Sequence, residues 1–283
     1  MRDYILSGFA DEYSPSLDGQ IAGMTRLGMR CMELRFADGI NVSDFTPEKT
    51  AEVKAKLDAA GIAVSAVGSP LGKINLADDF DAHLEKARRT FWTANRLECK
   101  CIRMFSFYLP KGKTRKECRG AVIERVGALL DLADEYGVTL CHENEAKIYG
   151  EAPEMCLDLL CHFGGRLRCV FDMGNFRLEK YDPLAAYEML REYIAYFHLK
   201  DGNAAGVILP PGTGEAQIEA ILRAHRRSGC GECVISLEPH LTAFVGLSAL
   251  TGVPLKQEFS YESPAAAFTD AAERVREILA KIE

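Results

Sequence analysis

The sequence has no apolar run near the roughly 18 residues that a membrane-spanning helix needs, so none is expected. Its first residues, MRDYILSGFADEYSP, carry acids early and lack the long apolar centre of a secretion signal, which places the chain in the cytoplasm. Positive charge is not in excess. The net charge of −7 supplies no overall cationic field for a phosphodiester backbone, which argues against nucleic acid as a partner. Among the ten cysteines only Cys230 and Cys233 have metal or redox spacing. No second such pair exists, and Cys233 enters an apolar strand. The cysteines therefore read as reduced thiols, mostly in core positions such as Cys101 and Cys169. The single tryptophan, Trp92, falls on a helical segment and reads as outer-layer packing. No linker or low-complexity stretch divides the chain, so residues 1–283 form one domain.

What the sequence does have is alternation. Short β-rich apolar runs recur at 4–9, 30–35, 62–68, 100–106, 138–143, 167–172, 194–199 and 233–238. Between them lie amphipathic segments with apolar residues three and four apart, such as 121–136 and 268–283. Gly28, Gly61 and Gly137 stand just before strands, where a helix ends most cheaply in the left-handed conformation. Eight strand–helix units predict an α/β fold, a closed (β/α)8 barrel. The alternative, an open doubly wound sheet, lacks a GxGxxG after its first strand. The longest connection, 240–263, has the length of a lid or an oligomer contact.

Parallel strands of a barrel bring all their C-terminal ends to one face. Strand five ends at Glu143 in LCHENE. Strand six ends in FDMGN with Asp172 and Asn175, strand seven in FHLKD with His198, Lys200 and Asp201, and strand eight in SLEPH with Glu238 and His240. Carboxylates gathered on one face repel, and burying them unpaired is costly. A divalent cation resolves this. Oxygen-rich ligation with a single imidazole suits Mn²⁺ or Mg²⁺, with Co²⁺ and Zn²⁺ as alternatives.

Through HENE, FDMGN, FHLKD and SLEPH the sequence resembles the sugar phosphate isomerase/epimerase family of the xylose-isomerase-like TIM-barrel superfamily. That superfamily includes tagatose/psicose 3-epimerase, hydroxypyruvate isomerase, inosose dehydratase and endonuclease IV. The resemblance implies a divalent metal held by Glu143, Asp172, His198 and Glu238, with the two glutamates also acting as acid and base. Where family epimerases and endonucleases carry histidine, this chain has Asn175. The endonucleases' three-metal cluster needs further histidines. Only six exist here, and His83, His162 and His225 fall in helical segments.

Isomerising a sugar means removing a proton beside a carbonyl, which requires a carboxylate on the C–H and stabilisation of the enediolate. Glu143 and Glu238 are the expected base and acid, in either order. Glu33, Arg35, Lys73, Arg103, Ser106, Asn175, Lys200 and His240 are the candidates for substrate binding. The expected substrate is a sugar, sugar phosphate or polyol ketone, handled by a homodimer in which each mouth is closed by a neighbour's loop. Two further readings are an inosose-type dehydratase on the same metal site and a barrel that binds sugar without turning it over.

Overall fold

A computed structural model describes residues 4–229, 231–242, 256–257 and 259–282. Eight strands form: β1 (Tyr4–Gly8), β2 (Cys31–Leu34), β3 (Ala63–Val67), β4 (Cys101–Met104), β5 (Thr139–Glu143), β6 (Leu167–Asp172), β7 (Ile194–Leu199) and β8 (Cys233–Leu237). They pair in parallel in the order β1-β8-β7-β6-β5-β4-β3-β2. Among the described residues, β1 and β2 are joined by one parallel bridge, Phe9 to Glu33, so the barrel is nearly closed. Each strand lies inside its expected run and stops within two residues of it.

Helices fill the connections: α1 (Leu17–Arg26), α2 (Pro47–Ala60), α3 (Phe80–Arg96), α4 (Arg115–Tyr136), α5 (Pro153–Phe163), α6 (Pro183–Leu190), α7 (Ile218–Arg227) and α8 (Pro264–Ile282). The expected helix at 121–136 begins earlier, at Arg115. There Thr114 and Glu117 satisfy each other's backbone N–H groups in a capping box. It ends at Gly137 with φ 61°, and α2 ends likewise at Gly61 with φ 65°. Val122, Val126, Leu129 and Leu130 of α4 are buried. At about 1.5–3 kcal/mol per large aliphatic side chain, this face and not intrinsic propensity holds the helix down.

Side chains alternate across each strand, so every strand has an outward and an inward row. Outward residues such as Leu140, Phe171, Phe197, Ile235 and Leu237 join the main apolar core with the helices. The inward row changes character along the barrel axis. Its lower layer is apolar, with Ala66, Cys141, Val170 and Tyr196 packed together. Its upper layer is charged and buried: Glu33, Arg103, Glu143, Asp172, His198 and Glu238.

No helix among the described residues is long and apolar enough to cross a membrane. Trp92 lies on α3, 38% exposed, with the Arg96 guanidinium 5.8 Å from its ring centroid. Most of the expected lid at 240–263 lies outside the described residues, as does Cys230. Within that span Lys256–Gln257 pairs in parallel with Val207–Leu209.

Candidate active site

Glu143 ends β5, Asp172 ends β6, His198 is the fifth residue of β7, and Glu238 follows β8 directly. All four face inward, are buried, and can each offer a ligand atom within 4.8 Å of the others. His198 Nδ1 is 3.1 Å from Glu143 Oε1 and 3.3 Å from Glu238 Oε2. The imidazole thus sits between the two glutamates.

A second set of contacts fixes these side chains. His198 Nε2 lies 2.9 Å from Glu33 Oε2, and the Tyr196 hydroxyl donates to Glu33 Oε1 at 2.9 Å. Asn144 continues the β5–β6 ladder with its side chain. Its amide donates to the Asp172 carbonyl at 2.9 Å and accepts from the Asp172 N–H at 3.0 Å. Asn175 binds both neighbouring elements, donating to the Asn144 carbonyl at 2.9 Å and to Glu143 Oε1 at 3.3 Å. Asp172 also caps the short helix Met173–Leu178 by accepting from the Asn175 N–H. Gly174 belongs here because an added Cβ would stand 2.7 Å from the Lys200 Cβ.

The cations are placed among the carboxylates. Lys200 Nζ donates to Asp172 Oδ2 at 3.1 Å, Glu238 Oε2 at 3.2 Å and Asn175 Oδ1 at 3.0 Å. Arg35 spans Asp11, Glu12 and Glu238 at 3.0, 3.2 and 3.0 Å. Arg103 is 3.2 Å from Glu143 Oε2 and 3.8 Å from Glu238 Oε1. Lys73 pairs with Glu145 at 2.8 Å and lies 4.4 Å from the Phe105 ring centroid. His240, with φ 51°, donates its backbone N–H to Glu12 Oε2, while its Nε2 is 3.4 Å from Glu238 Oε1. Ser106 turns away from the ring of donors: its Oγ accepts from the Gly150 N–H at 2.7 Å and contacts His142 Nε2 at 2.9 Å.

Charge is not balanced by these cations. Among the described residues, Asp11, Glu12, Glu33, Glu143, Glu145, Asp172 and Glu238 bring seven carboxylates to this end, against the four cations Arg35, Lys73, Arg103 and Lys200. Burial pushes Asp172 up to about 7, with Glu238 and Glu143 adding to the rise and Lys200 opposing it. Burial likewise lifts Glu12 to about 8 against Arg35. Burial acts to raise Glu238 too, but Lys200, His240 and His198 overcome it and hold the carboxylate well below its usual range. His198 would be depressed by burial, yet Glu33 and Glu143 raise it well above the usual imidazole value. Glu143 Oε2 and His198 Nδ1 are buried without a hydrogen bond. A divalent cation fits this donor set: three carboxylates and one imidazole, surplus negative charge, and buried ligand atoms left unsatisfied.

Sequence patterns singled out the four donors and their neighbours, marked Asn144 and Glu145 in LCHENE without giving them a role, and passed over Asp11, Glu12 and Tyr196. Asp11 and Glu12 follow β1 in GFADE, an acidic ending of the same kind that marked β5 to β8, and that pair was the available signal. Nothing local marks Tyr196 as the partner of Glu33.

The sequence matches a family model described as xylose isomerase-like TIM barrel over residues 22–246. Several solved structures share the fold. An IolI protein with a bound zinc atom superposes with a TM-score of 0.77 at 14% identity, over 98% of this chain and 99% of that one. An L-ribulose 3-epimerase gives 0.76 at 17%, over 98% and 95%. The probable 3-DHS dehydratase AsbF of Bacillus anthracis gives 0.73 at 16%, over 98% and 99%. No curated protein sequence matches the chain.

Proposed function

The chain belongs to the xylose isomerase-like TIM-barrel family, and from that premise we propose that it is a divalent-metal-dependent isomerase or epimerase of a sugar, sugar phosphate or polyol ketone. One observation carries the proposal: Glu143 and Glu238 flank His198 Nδ1 at 3.1 and 3.3 Å, so two carboxylates face one small space from different strands. A divalent cation held by Glu143, Asp172, His198 and Glu238, Mn²⁺ before Mg²⁺, Co²⁺ or Zn²⁺, would supply Lewis-acid stabilisation of charge on the substrate carbonyl. Glu33 supports this by taking the proton on His198 Nε2 as a hydrogen bond, which leaves the Nδ1 lone pair for a ligand role.

One glutamate takes the proton beside the carbonyl, and the other returns a proton from the opposite side. Arg103 and Asn175 fix Glu143, while Arg35 and Lys200 fix Glu238. The Lys200 ammonium would donate to the enediolate's second oxygen in exchange for one of its present acceptors, Asp172, Asn175 and Glu238. A dehydratase is the second reading: burial favours the neutral amine, but Asp172 and Glu238 hold the proton on Lys200 well above the ordinary lysine range, so the ammonium would hydrogen-bond a departing β-hydroxyl and not give up its proton to it.

Metal analysis followed by a panel of ketoses, inososes and their phosphates in deuterated water tests the proposal. The expected result is deuterium uptake at the carbon beside the carbonyl, abolished in Glu238→Gln. Full exchange in that variant would remove Glu238 from the chemistry. Loss of water from substrate would select the dehydratase, and binding without exchange would leave a sugar-binding barrel.

A further inference from the structure

The end of the barrel opposite the carboxylates holds a cavity of about 670 Å³, lined by Ser65, Cys101, Cys141, Tyr196 and Val234 within the ring of strands. Two thiols face each other there. Cys101 of β4 and Cys141 of β5 have their sulfurs 3.3 Å apart. The pairing register sets Arg103 opposite Cys141, so the two cysteines stand diagonally across adjacent parallel strands. Cys101 is half-buried and Cys141 fully buried, so a reagent in the cavity meets Cys101 first. Closing a disulfide to about 2.05 Å brings the sulfurs about 1.2 Å nearer, and because diagonal neighbours stand about 7–8 Å apart at Cα it also draws β4 and β5 toward each other, which strains the bond and makes it readily reducible.

We propose that Cys101 and Cys141 form a redox modification site, a dithiol that a low-molecular-weight disulfide oxidises to an intramolecular disulfide across β4 and β5. The Cys101 thiolate attacks one sulfur of the reagent, and the reagent's S–S bond breaks with loss of one thiolate. Cys141 then attacks the Cys101 sulfur and the second reagent thiolate leaves. Each departing thiolate takes up a proton given by a protein thiol. Two protein thiols are oxidised and one reagent disulfide is reduced to two thiols. The hydrogen bond to Cys141 and burial hold the Cys101 thiol well above the usual cysteine range, so exchange is slow unless the medium is alkaline.

The bond would form one layer beneath the candidate active site. Cys101 and Cys141 each precede by two residues, on the same strand face, Arg103 and Glu143, which are ion-paired at 3.2 Å. The site does not depend on the isomerase reading, because its test requires no activity.

The protein is incubated with 2-hydroxyethyl disulfide at mildly alkaline pH, quenched with iodoacetamide in denaturant and digested with trypsin. Cleavage after Lys100 separates Cys101 from Cys99, leaving Cys101 on peptide 101–103 and Cys141 on peptide 126–147. The expected product is these two peptides joined, lighter by two hydrogens than their sum. It should be lost on reduction and absent from Cys101→Ser and Cys141→Ser. Exposed Cys161 reports that the reagent acted. Cys161 modified while both Cys101 and Cys141 are recovered alkylated would overturn the proposal, and so would Cys101 linked to any other cysteine.

Discussion

Glu33 on β2 and His198 on β7 meet across the barrel interior, Oε2 to Nε2 at 2.9 Å, with both side chains sealed from solvent. The strands that carry them are not neighbours, so the pair is made by the closed barrel and by nothing local. Because the carboxylate accepts from Nε2, the other ring nitrogen turns a lone pair toward Glu143 and Glu238 whenever the imidazole is neutral.

Glu33→Gln should therefore weaken divalent metal binding by about 10–100-fold, because the amide can donate to Nε2 and shift the ring proton to Nδ1. Calorimetric titration with Mn²⁺, beside a thermal melt showing an intact fold, makes the measurement. Unchanged affinity would mean that Glu33 does not orient a metal ligand.

Lys200→Met removes an ammonium that sits 3.1 and 3.2 Å from two candidate ligands, Asp172 and Glu238. A cation there repels a bound metal and, in the proposed reaction, donates to developing negative charge. The variant should bind Mn²⁺ at least as tightly as the parent and lose about 100-fold or more in turnover. Weaker metal binding with unchanged turnover would reverse both roles.

His83 links stability to pH. Its Nε2 accepts from the Gly72 N–H at 2.8 Å, and burial, reinforced by Lys86 and Arg125, depresses it from 6.5 to about 4. Between those values the unfolded chain holds more protons than the folded one, so stability falls as pH falls. The contribution is complete above pH 6.5 and gone below about 4, a loss of about 3 kcal/mol. Urea midpoints across this range should separate the parent from His83→Gln, whose own curve lacks that part of the slope. Parallel curves would refute the assignment.

Asp201 is the pin of the 210–216 loop. Oδ1 accepts from the N–H groups of Gly202 and Ala216, and Oδ2 from those of Gly212 and Gly214, all between 2.8 and 3.0 Å. Asp201→Asn turns one acceptor into a donor that faces two N–H groups, at a cost of about 2–4 kcal/mol. Urea unfolding measures that loss, and limited proteolysis should cut first within the loop. A midpoint matching the parent's would show that the loop holds without the pin.

The eight strands were legible because each apolar run stops at a turn or a helix cap, and parallel order follows from the strand–helix alternation. The four donors were legible because strand ends share one face. Their partners were not. Arg35 is 203 residues from Glu238 and Glu33 is 165 from His198, and a local pattern cannot say whether a buried cation faces a substrate or another side chain. Arg35 and Arg103 stood out as substrate-binding candidates by their position at strand ends; in the fold both are ion-paired to glutamates of the candidate site. Ser106 stood out for the same reason, yet its hydroxyl is engaged by His142 and Gly150.

Among the described residues the one backbone bridge between β1 and β2, Phe9 to Glu33, falls at the glutamate that steadies His198. Phe9 also ties its N–H to the Leu237 carbonyl, next to Glu238, and sets its ring edge-on to the His198 imidazole at 5.2 Å. The thinnest part of the cylinder wall is thus also its chemical keystone. Parting this seam would free the Glu33 carboxylate from His198, so in the proposed reaction turnover would fall while the other seven strand pairings still held.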